Sequence, residues 1–294
     1  MLLIVASLWS IASSAQELSP RAYWPTPNGL NVLVFGYQNS FGDVLTDPTL
    51  PVTGVESDLN YLQINYQRTF SWFSRTATVQ LSTPYSWGTT EGLLEGEYRC
   101  RQTSGLGDSR IRLAINLLGA PSMDPAEFRK LLADPKTIVG ASLLLQIPTG
   151  EYQADKLINI GTNRWAVKPA IGVIWPMVTS LLFEFELGAW FYGNNDEFLG
   201  QTRSQDPVLS AEAHLVKVTQ SGLWVSLDAN FYRGGQTTVG ENINDNLQRN
   251  SRMGGTLFFP WKHKHGLRAS YSRGVVTSSG GDFGNISLSY TYAW

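Results

Sequence analysis

The sequence predicts an all-β fold, a transmembrane antiparallel up-and-down β-barrel of about twelve strands. Three observations predict it. Apolar and polar side chains alternate with a period of two along most of the chain, as a sheet with one greasy and one wet face requires. Past residue 15 no run approaches the roughly 18 apolar residues of a membrane helix, so a crossing here would be made by strands. Short and long connections also alternate, the asymmetry between periplasmic turns and extracellular loops in such barrels.

Composition and the first residues set the context. Only 16% of the 294 residues are charged, against about 25% in an ordinary soluble protein. A net charge of −2 with no basic cluster argues against a nucleic-acid partner. Residues 1–15, MLLIVASLWSIASSA, run from apolar to small, and Ser13 and Ala15 suit the −3 and −1 positions of a signal-peptidase site. The expectation is a signal peptide over 1–15 and an outer-membrane barrel over 16–294. A single cysteine, Cys100, reads as a free loop thiol.

The elements follow in order. Asn31–Phe41 sets Leu33, Phe35 and Tyr37 on one parity, and Leu59–Phe70 sets Leu62, Ile64 and Tyr66 against Gln63, Asn65 and Gln67. In Arg75–Trp87, Ala77, Val79 and Leu81 oppose Thr78, Gln80 and Ser82; in Leu106–Leu118, Ile111, Leu113 and Ile115 oppose Arg110, Arg112 and Asn116. Thr137–Ile147, Arg164–Trp175, Leu181–Tyr192, Val208–Val218 and Leu223–Tyr232 keep the rule. So do Arg252–Phe259, Gly266–Val275 and Phe283–Trp294. Short links fall at 71–74, 176–179, 219–222 and 260–264. Long polar links fall at 42–58, 88–105, 148–163, 193–206 and 233–250, with a shorter one at 276–282. One long segment, 119–136, stands where a short turn is due. Its DPAEFRKLL stretch offers Asp124 as N-cap, Pro125 in the first turn and Glu127 for a capping box, predicting a periplasmic helix near 124–133.

Charges on the lipid parity check the reading, since Arg or Lys at mid-bilayer costs roughly 2–4 kcal/mol. Arg68, Arg75 and Lys217 lie beside short turns and Arg273 near an outer loop, where each can reach headgroups. Trp87, Trp165, Trp175, Trp261 and Trp294 sit near expected strand ends, as interface girdles would. Pro169 alone resists, because proline removes a ladder hydrogen bond; a local bulge is the expected remedy. Alternation in GNISLSYTYAW continues to Trp294, so the last strand is expected to pair with the first and close the sheet.

LQIPTGEYQADKLINIGTNRWAVKPAIG (Leu145–Gly172) resembles the transporter family of the phenol meta-degradation pathway, the phenol MetA-degradation-like β-barrel proteins. The match lies in the PTG-x-Y turn at Pro148–Tyr152, the KLINIG stretch and the NRW-x-V-x-P run at Asn163–Pro169. SGLGDSRIR (Ser104–Arg112) adds to it. The resemblance implies an outer-membrane barrel that moves small, often aromatic or hydrophobic molecules, and it implies that Pro169 is a family feature.

Inward parity then names the expected lumen. Arg110, Arg112, Arg164 and Lys168 lie on the fourth and sixth strands, Glu184, Glu186, Glu212 and Asp228 on the seventh to ninth, and Arg252 and Arg268 after them. Opposed basic and acidic walls would set up a transverse field; alternatively, Lys168 pairs with Glu184 or Glu186 and the charges fill the lumen. Inward Tyr61, Trp190, Tyr192, Trp224 and Tyr232 are expected to pack. Enzyme readings are weaker. His214 beside Glu212 has no serine fixed by spacing, and His263 and His265 read as interfacial rather than metal-binding. GDS (107–109) and DFG (282–284) match hydrolase and kinase fragments in the wrong context.

The expected function is passive, selective uptake of small molecules, with no enzyme activity and no cofactor. Expected partners are the lipid bilayer, lipopolysaccharide, a small-molecule solute and the outer-membrane assembly machinery, which would read the C-terminal strand. The alternative is a structural or adhesive barrel with a plugged lumen and partner-binding loops.

Overall fold

The computed structural model describes residues 20–45, 52–262 and 264–294. The expected signal peptide over 1–15 and His263 lie outside the described residues. The chain forms β1 (Asn31–Leu45), β2 (Val52–Trp72), β3 (Arg75–Leu94), β4 (Glu97–Leu106), β5 (Ser109–Leu118), α1 (Pro125–Ala133) and β6 (Ile138–Ile147). There follow β7 (Ala166–Val178), β8 (Leu181–Tyr192), β9 (Asn195–Phe198), β10 (Gln201–Gln205), β11 (Val208–Val218) and β12 (Trp224–Gly234). The series ends with β13 (Thr237–Val239), β14 (Asn242–Ile243), β15 (Gln248–Trp261), β16 (His265–Val276) and β17 (Gly280–Ala293).

Antiparallel pairing runs β1-β2-β3-β5-β6-β7-β8-β11-β12-β15-β16-β17 and returns to β1, closing twelve strands into one barrel. Each expected strand is one of these twelve. Closure reaches the last residue: the Asn31 N–H donates to the Trp294 carbonyl at 2.9 Å, and the Trp294 N–H to that of Asn31 at 3.0 Å. No free edge is left on the cylinder, so each of its strands has a partner on both sides.

The apolar parity faces outward. Leu62, Ile171 and Leu288 are each more than half exposed on the outer surface. In water each such side chain would forfeit about 1–2 kcal/mol of burial; in lipid it forfeits little. The one extensive apolar core lies inside the cylinder at its short-turn end. There Tyr23, Met123, Leu131, Ile174 and Trp224 pack together, with Phe128 of α1 against them.

Helix α1 forms as expected. The Asp124 carboxylate accepts from the Ala126 and Glu127 N–H groups at 2.7 and 2.8 Å, and Glu127 accepts from the Asp124 N–H at 3.0 Å. The Glu127 and Ala126 amides hold the Asp124 carboxyl below the usual range.

Four sequence expectations change. Segments 42–58 and 88–105 are mostly strand, not polar link: β2 and β3 run far past the lipid band, and β4 folds back on the outer half of β3. Trp87 therefore lies well inside β3 rather than near its end. Links 193–206 and 233–250 build a second sheet, ordered β14-β13-β10-β9, over the long-loop end. Pro169 creates no bulge. The β7–β8 register is the same at Val167–Phe191 and Ala170–Gly188, and the two rungs between are simply missing. Its ring faces outward opposite Leu143 of β6.

Candidate functional site

The lumen is built from three parts, the first of which is a short segment ahead of β1. Residues 20–24 enter the barrel at its short-turn end. The Tyr23 ring lies flat on inward Gly140 and Gly172, where an added Cβ would sit 2.3 and 2.2 Å from ring carbons. Only glycine leaves room for that ring. The Tyr23 hydroxyl is 2.9 Å from Ser142 Oγ, and the Arg21 N–H donates to Glu184 at 2.6 Å. Arg112 donates to the Ala22 carbonyl at 3.1 Å and holds its guanidinium 4.9 Å above the Tyr23 ring.

The second part is a charged, filled wall carried by β5 to β12. Lys168 Nζ lies 2.7 Å from Glu186 and 3.0 Å from Glu212, and Arg112 lies 3.5 Å from Glu186. Next to them the His214 Nδ1 is 2.8 Å from Asp228, whose other oxygen accepts from Thr256 at 2.8 Å. His214 Nε2 lies 3.9 Å from Glu212. Both ring nitrogens thus face carboxylates, and neither is placed to take a proton from a serine, as a nucleophile–base pair requires. The expected opposed walls are absent. Cations and carboxylates interdigitate within one wall: Lys168 reaches Glu186 one strand away and Glu212 two away, and Arg112 reaches Glu186 across three, so the long side chains pair along the wall rather than facing one another across a lumen.

The two motifs that carry the family resemblance meet in this wall. The buried Asp108 carboxylate accepts from the Gly150 N–H at 3.0 Å, Thr162 N–H at 3.0 Å, Thr162 hydroxyl at 2.6 Å and Gln146 amide at 3.0 Å. Gly150 and Gly161 cross so closely that a Cβ on Gly161 would lie 2.6 Å from the Gly150 backbone. Loop 148–165 is thereby pinned inside the rim. Asn195 of the second sheet donates to Tyr152 at 2.9 Å and to the Thr162 carbonyl at 3.3 Å, and Arg164 bonds Gln205. The motif residues fold the long-loop end down over the charged wall.

The third part is an uncharged wall. Strands β17 and β1 to β3 turn Ser, Thr, Asn and Gln inward, among them Gln63, Asn65, Gln80, Ser287 and Ser289, and Ser270 of β16 extends the surface. These short side chains leave space. A chamber of about 360 Å³ opens toward the long-loop end beside Ile158–Ile160, and one of about 240 Å³ lies below it, floored by Arg21 and Tyr23. The two chambers share Gln63, Asn65, Gln67, Gln80, Ser82, Arg110 and Arg268 as lining, so they adjoin one another.

Of the residues named from sequence, Arg110, Arg112, Lys168, Glu184, Glu186, Glu212, Asp228 and Arg268 line the chambers. Arg164 and Arg252 do not. Arg164 stands just ahead of β7 with its guanidinium 4.5 Å over Tyr192, and Arg252 is buried beside Ser272 at 3.1 Å. Tyr192 stacks on Trp190 and Trp224 on Phe258, in keeping with packing roles. Sequence reading missed the 20–24 segment and the size of the neutral wall. Its Gln and Ser residues do stand on the inward parity of the sequence, but parity alone does not show how much space they leave.

Outside, Trp165 and Trp175 project from opposite ends of β7. Ten residues at about 3.3 Å each, tilted by about 40°, span about 25 Å, the height of an outer-membrane apolar band. Trp294 stacks with Tyr292 at the short-turn rim, and Trp261 lies near His265 there. Trp87 and Tyr85 mark the other rim beside Tyr37. Lys217 reaches Ser180 at 2.7 Å by the short turn, clear of mid-bilayer.

The family model described as "Putative MetA-pathway of phenol degradation" matches residues 38–292. The chain belongs to that family. No protein with a curated function matches the sequence. Among solved structures, an outer membrane channel from Pseudomonas putida F1 is similar at 19% identity and a TM-score of 0.78, covering 95% of this chain and 100% of that one. The transport unit of the autotransporter AIDA-I from Escherichia coli is similar at 8% identity and a TM-score of 0.54, covering 97% and 95%. The fold of this family member is thus the twelve-stranded antiparallel barrel with one short helix, matching that of the outer membrane channel. Barrels of this kind are shared by proteins that do different work, so function has to be argued from the lumen.

Proposed function

We propose that this protein is an outer-membrane channel for passive, selective uptake of small molecules, aromatic compounds among them. The observation that carries the reading is the pair of adjoining chambers along the uncharged wall. A barrel meant only as a scaffold would gain stability by filling that space, since unfilled volume forfeits packing. Aromatic cargo is supported by the family description and by the apolar Ile158 and Ile160 at the upper mouth. On this reading residues 1–15 leave as a signal peptide, the C-terminal strand engages the assembly machinery, and lipopolysaccharide surrounds the long-loop rim.

One observation favours a second reading. Tyr23 and the apolar core beneath it narrow the short-turn end, as a closed structural or adhesive barrel would require. Planar-bilayer recording separates the two. The channel reading expects small, resolved openings from wild-type protein and a larger unit conductance from Tyr23→Gly. Silence from both, with no solute flux into liposomes, would leave the closed barrel.

A further inference from the structure

The junction between the chambers has a composition of its own. Among the described residues, Arg110 and Arg268 are the only charged ones that line both chambers, and the rest of the shared lining is amide and hydroxyl. Their positions are set by the barrel. Arg110 is on β5 and Arg268 on β16, the strands that bracket β3, β2, β1 and β17. The two side chains therefore start from the strands at either end of the uncharged wall, and the Arg268 guanidinium reaches over the Trp224 ring, 5.5 Å from its centroid.

Each carboxylate that lines the chambers accepts from at least one protein donor, and of the Glu184 oxygens only Oε2 does. Asp108 accepts four hydrogen bonds from the pinned loop, and Asp228 is held by His214 and Thr256. Glu186 and Glu212 share Lys168, and Glu184 accepts from the Arg21 backbone. The lower chamber is lined by five cations, Arg21, Arg110, Arg112, Lys168 and Arg268, against Glu184, Glu186 and Glu212. A narrow passage with low-dielectric walls focuses such an excess on whatever occupies it.

Resting on the channel reading, we infer that this junction is an anion filter in which Arg110 and Arg268 select small organic anions, carboxylates above all. Guanidinium groups match a carboxylate as planar forks and cannot be deprotonated, so the preference holds across the physiological pH range. Two unit charges about 5 Å from a passing ion in a water-like medium favour an anion over a neutral solute about tenfold or more. A solute bearing an aromatic ring and a carboxylate would meet the isoleucines at the mouth and the arginines at the junction.

The test is reversal potential. Full-length barrel is recorded in a planar bilayer under a KCl gradient, then with potassium benzoate replacing the chloride. The expected results are a chloride-to-potassium permeability ratio near ten and a measurable benzoate current. Arg110→Gln with Arg268→Gln should bring the ratio to about one while openings persist, and Arg110→Lys with Arg268→Lys should keep the anion preference. Openings in wild type with no anion preference, or a double glutamine variant as anion-selective as wild type, would overturn the filter and leave the channel standing. Should the glutamine variant fail to fold, the wild-type ratio and the lysine variant still decide. A silent wild type would remove the channel reading, and the filter with it.

Discussion

Two walls of one barrel obey the same alternation and end differently. On β5 to β12 the inward positions carry Lys168, Glu212, His214 and Asp228, all buried, and the partly buried Glu186, joined in a network of ion pairs and hydrogen bonds. On β17 and β1 to β3 many of them carry Gln, Asn, Ser and Thr, and open space remains beside them. Parity decides which side chains face the lumen; their length and charge decide whether the lumen is filled. Desolvated charges have to find partners, so that wall closes on itself and pushes the open path off-centre. Short neutral side chains carry no such obligation.

The largest expected effect contrasts the walls directly. Lys168→Ala strands two buried carboxylates, Glu186 and Glu212, beside one another. Breaking a buried pair from one side costs about 3–5 kcal/mol, and here two pairs share the lysine. Ser289→Ala on the opposite wall removes a hydroxyl from a wet surface and should change stability by less than about 0.5 kcal/mol. Urea midpoints of the folded barrel in detergent measure both. Equal midpoints for the two variants would mean that the charged wall is solvated, and the contrast would collapse.

A smaller effect is expected where the charged wall meets the pinned loop. Asp108→Ala leaves four donors without their acceptor, at a cost of about 3 kcal/mol if the loop stayed in place. Release of loop 148–165 is the cheaper outcome. Limited proteolysis should then cut between residues 150 and 163 in the variant and not in wild type. Asp108→Asn, which keeps one acceptor oxygen, should fall between them.

How much of this was legible in the sequence follows from the range of each interaction. Period-two alternation is local, so all twelve barrel strands could be read from residues such as Leu62–Gln63–Ile64 or Val225–Ser226–Leu227. The capping box of Asp124 and Glu127 is local too. Asp108 was visible as part of a motif, but its partners lie 42 and 54 positions away, and no spacing rule joins them. Strands β9, β10, β13 and β14 are two to five residues long, too short to show a period. Residues 20–24 have no period at all, and their place depends on glycines at 140 and 172 in strands far along the chain. Interdigitation of the charges was half legible: Lys168 with Glu186 followed from adjacent strands, whereas Lys168 with Glu212 needed the register of β8 against β11.

The smallest effect belongs to α1, which braces the short-turn end beneath both walls. Its Asp124 cap has a carboxyl held below the usual range by the amides of Glu127 and Ala126. A depressed folded-state pKa means that the cap contributes fully above the ordinary aspartate value of about 3.9 and fades as pH falls through the lower folded value. Since Asp124 is on the surface, the contribution is modest, and it acts on the helix rather than on the barrel. Lowering the pH from 7 to 3 should loosen segment 119–137 in wild type, read as faster amide exchange there than in β6. Asp124→Ala should show the fast exchange already at pH 7 with no further change on acidification. If acid loosened the charged wall first and left α1 untouched, the ion pairs around Lys168 would be the weaker part of the molecule, and the ranking of these regions would have to be reversed.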